Sequence, residues 1–133
     1  MMLITTDTSV IVAILEGEPE WAKLDSILTN SNPLISAASL LECFMVMRSR
    51  LEAFTPTAID EILHQYNFQV AEFGLQHLAR AHAAFEKYGK GRHPAKLNFG
   101  DCIVYATAKF TSTPLLFLGD DFSLTDIETV KWT

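Results

Sequence analysis

Short apolar runs alternate along this chain with longer stretches in which apolar residues recur every three or four positions. Residues 2–5 read as a strand, and 9–15 and 21–28 carry helical spacing on either side of the Gly17-Glu18-Pro19 break. The polar stretch 29–32 and Pro33 end the second helix, and Leu34-Ile35-Ser36 reads as a second short strand. A long helix follows over about 39–52, with Leu40, Leu41, Phe44, Met47 and Leu51 apolar. Thr55-Pro56 opens another through about Tyr66, since a threonine cap before proline at the first helical position is a regular start. Over 68–73, Phe68, Val70 and the ring of Phe73 alternate with polar residues as a half-buried strand would. Residues 75–88 are helical up to Gly89, read as a C′ glycine. Residues 99–110 are helical, 115–118 form a buried strand after Pro114, and 129–132 form a last one. Strands alternating with helices or helix pairs predict an α/β fold with a mainly parallel sheet covered on both faces.

The 133 residues suit a single domain, 1–133, and 49% hydrophobic content can fill its core. No basic N-terminal segment precedes an apolar stretch, and no apolar run approaches the ~18 residues of a membrane span. These features predict a cytoplasmic protein without a membrane partner. Cys43 and Cys102 lack C-x-x-C spacing and any secretion context, so reduced thiols are expected.

Four acidic positions recur where an apolar run gives way to a helical pattern: Asp7, Glu42, Asp101 and the Asp120-Asp121 pair. In an open α/β sheet the carboxyl ends of the strands share one edge, so acids placed there converge across the whole chain. Each also has a structural explanation. Asp7 can cap the helix that follows, Ser39-Leu-Leu-Glu42 has capping-box spacing, Asp101 falls in a helical first turn, and Asp120 or Asp121 can cap the turn at Phe122. Taken together they would repel along one edge unless a cation or basic partner neutralised them. An all-oxygen donor set suits Mg²⁺ or Mn²⁺, ions that clamp phosphates and activate water.

Other chemistries lack a foothold. The four histidines include no i,i+3 or i,i+4 pair for a helical zinc site, and no nucleophile-elbow, P-loop or dinucleotide-binding motif occurs. A net charge of −6 argues against holding nucleic acid by bulk attraction. Yet Lys87, Lys90, Arg92, His93 and Lys96 cluster in ten positions, in a glycine- and proline-containing loop that delivers the chain to Asp101.

Asp7-Thr8-Ser9 after an apolar strand, Glu42 early in a long helix, GKGRHPAKLNFGDC over 89–102 and GDDFSLTD over 119–126 together resemble a PIN-domain ribonuclease of the VapC toxin type. The resemblance spans essentially the whole chain. It implies a three-layer α/β/α sandwich around a parallel sheet. It also implies a Mg²⁺- or Mn²⁺-dependent endoribonuclease that hydrolyses RNA with metal-activated water, forms a homodimer and is neutralised by a cognate antitoxin. Asp7, Glu42 and Asp101 match the first three acids of the family. The compact Gly119-Asp120-Asp121-Phe122 turn leaves Asp120 and Asp121 both open as the fourth, with Asp126 a weaker candidate. Ser9 is a candidate to support Asp7 or a metal-bound water, and Arg92 and Lys96 are candidate phosphate contacts.

A haloacid-dehalogenase-like phosphatase also sets an aspartate after its first strand, but it requires a second two residues on, where Ser9 stands. A catalytically silent PIN-like domain that binds RNA or a protein partner is the alternative of a different class. Four consecutive apolar residues, Phe44 to Met47, go nearly round their helix, more than one buried face requires. A helix buried on both sides within the domain would account for that surplus, and so would a seat for an amphipathic antitoxin segment.

Overall fold

A computed structural model describes residues 1–132, with Thr133 outside the described residues. The strands are β1 (Leu3–Thr6), β2 (Asn32–Ser36), β3 (Gln69–Ala71) and β4 (Leu115–Leu116). They form one four-stranded, wholly parallel sheet in the order β3-β2-β1-β4. The helices are α1 (Thr8–Glu16), α2 (Trp21–Thr29), α3 (Ala37–Arg50), α4 (Pro56–Gln65), α5 (Leu75–Tyr88) and α6 (Phe99–Thr111). Adjacent residues of β4 show the two-sidedness of the sheet. Leu115 joins a core with Ala84, Val104 and Ala106 of α5 and α6, whereas Leu116 joins Ile4, Val10, Leu24 and Leu28 beneath α1 and α2. Helices thus flank a central parallel sheet as the pattern predicts.

The helix α6 is the most deeply sunk element, buried at every position from Gly100 to Ala108. It brings Asp101 to the carboxyl edge of the sheet and holds it there. Both cysteines are free and buried; burial, with Glu42 beside it, pushes the Cys43 thiol up to about 12, and burial also raises Cys102.

Several elements depart from the sequence pattern for identifiable reasons. The long helix starts at Ala37, not Ser39, because the Ser36 Oγ accepts from the Ala38 amide at 3.2 Å. Ser39 then lies inside the first turn with its Oγ buried and without a partner, so the Ser39–Glu42 capping box does not form. Gly89 is not left-handed, with φ −65°. Glycine is required there by close approach, since a Cβ would lie 2.4 Å from the Phe85 carbonyl oxygen. The third strand is an edge strand of three residues that leaves Val70 half exposed, although Phe68 and Phe73 pack inward. The segment 129–132 contributes a single bridge, Thr129 beside Leu115, in place of a strand. Of the four apolar residues on α3, Met47 is buried, Phe44 and Val46 are half-buried, and Met45 is exposed with Leu41.

Candidate active site

Each acid reaches the sheet edge by a different local device. Asp7 follows β1 directly and caps α1, its Oδ2 accepting from the Ser9 amide at 3.1 Å. The same oxygen accepts from the Ser9 hydroxyl at 2.6 Å, and that hydroxyl accepts from the Leu118 amide at 3.1 Å. Ser9 therefore ties the Asp7 carboxylate to the chain leaving β4. Thr8, which the sequence reading left without a role, donates its hydroxyl to Glu42 Oε1 at 2.8 Å. Glu42 is further seated by an absence of bulk. A Cβ on Gly100 would stand 2.0 Å from Glu42 Oε2, so only glycine leaves the carboxylate its place against α6.

Asp101 sits in a reciprocal cap at the start of α6. Its amide donates to Asn98 Oδ1 at 2.9 Å, and its Oδ2 accepts from the Asn98 amide at 3.1 Å. The structural explanation of this acid is thus correct as far as it goes, but one carboxylate serves two purposes.

Asp7, Glu42, Asp101 and Asp121 line one cavity of ≈ 300 Å³, together with Thr8, Ser9, Glu18, Arg50, Asn98 and Leu118. Burial raises the Asp7 carboxyl above its ordinary range; the Ser9 hydrogen bonds lower it, and the charges of Glu42 and Asp121 raise it further. Asp101 is pushed up to about 7, chiefly by burial, against the lowering hydrogen bond from Asn98 and with the help of Asp121 and Asp7. Carboxyls raised by burial and by neighbouring negative charge are stabilised by a cation among them.

Among the described residues no three His, Cys, Asp or Glu side chains are drawn together tightly enough to cage an ion as they stand. The acids face a shared space with oxygen donors alone, a donor set that fits a hard divalent cation completing its shell with water or substrate oxygens.

The two aspartates of the Gly119–Phe122 turn differ in the spaces they line. Asp121 lines the cavity with Asp7, Glu42 and Asp101, and both it and Asp120 line an adjoining one with Pro94, Lys96 and Asn98. Asp126 lies elsewhere, accepting from Tyr105 and Lys109, and serves the fold. Lys96 faces the adjoining cavity and, with φ +53°, holds a left-handed conformation uncommon for a residue with a side chain. Arg92 points away, pairing with Glu86 at 3.7 Å and stacking over Phe85. Thr8, Gly100, Glu18 and Arg50 are among the residues at the site that sequence reasoning did not single out. The Glu42–Val46–Arg50 spacing on one helix was the available signal for the last.

The model of the PIN domain matches residues 4–128. The ribonuclease VapC36 of Mycobacterium tuberculosis is 40% identical over 124 residues, covering 92% of this chain and 89% of that protein. This chain belongs to the PIN-domain family, among the VapC ribonucleases. Membership sets the phosphatase reading aside. The fold agrees with solved VapC structures at much lower identity. Mycobacterium tuberculosis VapC20, a sarcin-ricin-loop-cleaving toxin, superposes with a TM-score of 0.76 at 16% identity, over 96% of this chain and 98% of that one. A toxin-antitoxin complex from Klebsiella pneumoniae gives 0.70 at 18%, over 100% and 98%. No described helix of this VapC-family chain is long and apolar enough to cross a membrane.

Proposed function

We propose that this chain is the toxin of a toxin-antitoxin pair and acts in the cytoplasm as a Mg²⁺- or Mn²⁺-dependent endoribonuclease. The observation that carries this reading is the convergence of Asp7, Glu42, Asp101 and Asp121 on one cavity at the carboxyl edge of the sheet. These four would hold the ion, with Asp120 flanking them in the adjoining cavity. A bound divalent ion supplies Lewis acidity, lowering the pKa of the attacking water and stabilising charge on the leaving oxygen. The chain's own residues supply placement. Ser9 fixes Asp7, Thr8 and Gly100 fix Glu42, and the Asn98 amide fixes Asp101. Lys96 offers its charge to the RNA backbone from the adjoining cavity.

The partners follow from surface and family together. The Klebsiella neighbour is a toxin-antitoxin complex, and the exposed Leu41 and Met45 on α3 offer an amphipathic antitoxin segment an apolar seat close to Glu42. A second copy of the chain is the occupant proposed for the apolar hollow of α5 and α6, where Leu78, Phe85 and Phe99 stand exposed around ≈ 550 Å³.

The chemistry is tested by the ends it leaves. Attack by an external water in line with the 3′ oxygen yields 5′-phosphate and 3′-hydroxyl products, which ligation and mass spectrometry of the fragments should find. A 2′,3′-cyclic phosphate would mean that the ribose hydroxyl was the nucleophile and would defeat this mechanism. RNA left intact by the metal-loaded protein would favour the silent RNA- or partner-binding domain.

A further inference from the structure

The cavity lined by the acids is lined by one cation, Arg50. Glu42, Val46 and Arg50 all line it, and their spacing of four puts them on one face of α3. Arg50 therefore lies about 12 Å along the helix from Glu42, at the far rim of the acids.

Its neighbour Arg48 shows what an arginine serving the fold does here. Arg48 stacks over Phe44 at 5.7 Å and donates to the Phe54 carbonyl at 3.4 Å. Arg50 makes neither kind of contact. Among the described residues its one hydrogen-bond partner is Glu16, at the end of α1, and its side chain is 51% exposed. An ion pair so exposed contributes little to stability. It does restrain a guanidinium that would otherwise sweep freely, and it leaves further N–H donors for an oxyanion. On the opposite side of the acids, Asn98, Asp101 and Asp121 line both this cavity and the one faced by Lys96. The two cavities thus adjoin through these three residues, with Arg50 lining only the first and Lys96 only the second.

We propose that Arg50 anchors a backbone phosphate of a single-stranded RNA on the α1–α3 side of the acids, so that the strand crosses the carboxylates between Arg50 and Lys96. A polyanion approaching the five carboxylates that line this cavity needs cationic holds on both sides of the scissile linkage, and an arginine fork matches a phosphate in two hydrogen bonds. The inference rests on the ribonuclease reading for its substrate, but binding can be measured without cleavage.

The test uses full-length protein carrying Asp101→Asn and a short single-stranded RNA, with and without Arg50→Ala. Neutral methylphosphonate linkages are introduced at one position at a time. Arg50→Ala should weaken binding about ten- to a hundredfold and leave the melting temperature unchanged. One neutral linkage should reproduce most of that loss, and in the Arg50→Ala protein the same linkage should have no further effect. Arg50→Lys should recover part of the affinity. In the protein with Asp101 intact, Arg50→Ala should raise KM more than it lowers kcat. Binding unaffected by Arg50→Ala, or losses that simply multiply at every linkage, would overturn the proposal, as would failure of the strand to bind at all. Binding that depends on Arg50 in a protein whose intact form never cuts RNA would instead keep the anchor and sink the ribonuclease reading.

Discussion

Asp101→Asn abolishes cleavage, lowering the rate at least roughly a thousandfold, while the metal-free protein keeps its fold and melts higher at neutral pH. The capping role survives because asparagine offers the Asn98 amide a side-chain oxygen in the same place. What is lost is the charge that holds a cation. The gain in stability follows from the sign of the pKa shift. Burial first, then Asp121 and Asp7, lift Asp101 to about 7 in the folded protein. The unfolded chain releases this proton near the ordinary ~4. Between those values the folded state binds the proton more strongly, so metal-free stability falls as pH rises from about 4 to about 7 and then levels. Asparagine has no such titration. Calorimetry from pH 5 to pH 8 should show the wild type losing stability relative to the variant, reaching on the order of 5 °C by pH 8 with solvent screening in the open cavity limiting the gap. A variant that cuts RNA at the wild-type rate would reduce Asp101 to a helix cap.

Gly100→Ala produces the opposite pairing of effects from an ordinary core mutation. The added methyl would stand 2.0 Å from Glu42 Oε2 and 2.7 Å from its Cδ. The obstructed group is the end of a flexible side chain, so the carboxylate swings away while the backbone stays. Alanine also favours a helix over glycine by about 1 kcal/mol, so the melting temperature should hold or rise by a few degrees. Cleavage should fall by about ten- to a hundredfold, the range seen when groups supporting a metal ligand are disturbed. Rates and melting curves on the same preparation decide the matter. Full activity in a stable Gly100→Ala protein would show that Glu42 does not need its present position.

These expectations draw unequally on sequence and structure. The alternation of apolar runs with helical spacing sufficed for the parallel sheet, because each strand is short and each helix carries its own cap or break. Asp7 and Asp101 were visible for the same reason: both stand at helix starts and in recognisable motifs. Glu42 was visible as an acid, but its local explanation was mistaken. Ser36, three residues earlier, wins the cap, and a capping preference cannot be resolved from spacing when two serines compete. Asp120 and Asp121 could not be separated, since adjacent residues in a turn diverge according to backbone angles, here with Gly119 at φ +96°. The roles of Thr8 and Gly100 were beyond sequence altogether. Each depends on contact across 34 or 58 positions with the same Glu42 side chain, and pairing at that range is created by packing. The edge strand misled in the other direction, because alternation marks two faces but does not say that the second is covered. Val70 lies half exposed as a result.

The central claim is that these carboxylates form a metal-dependent nuclease site, and thermal unfolding beside RNA cleavage, with Mn²⁺ or Mg²⁺ and with EDTA, tests it most directly. Burial and the charges of neighbouring carboxylates raise Asp7 and Asp101, so a divalent ion among the acids should stabilise the folded state by mass action. The melting temperature should climb with millimolar Mn²⁺ or Mg²⁺, and cleavage should stop in excess EDTA and return when either ion is restored. An unchanged melting temperature in millimolar Mn²⁺, with cleavage persisting in excess EDTA, would contradict the account.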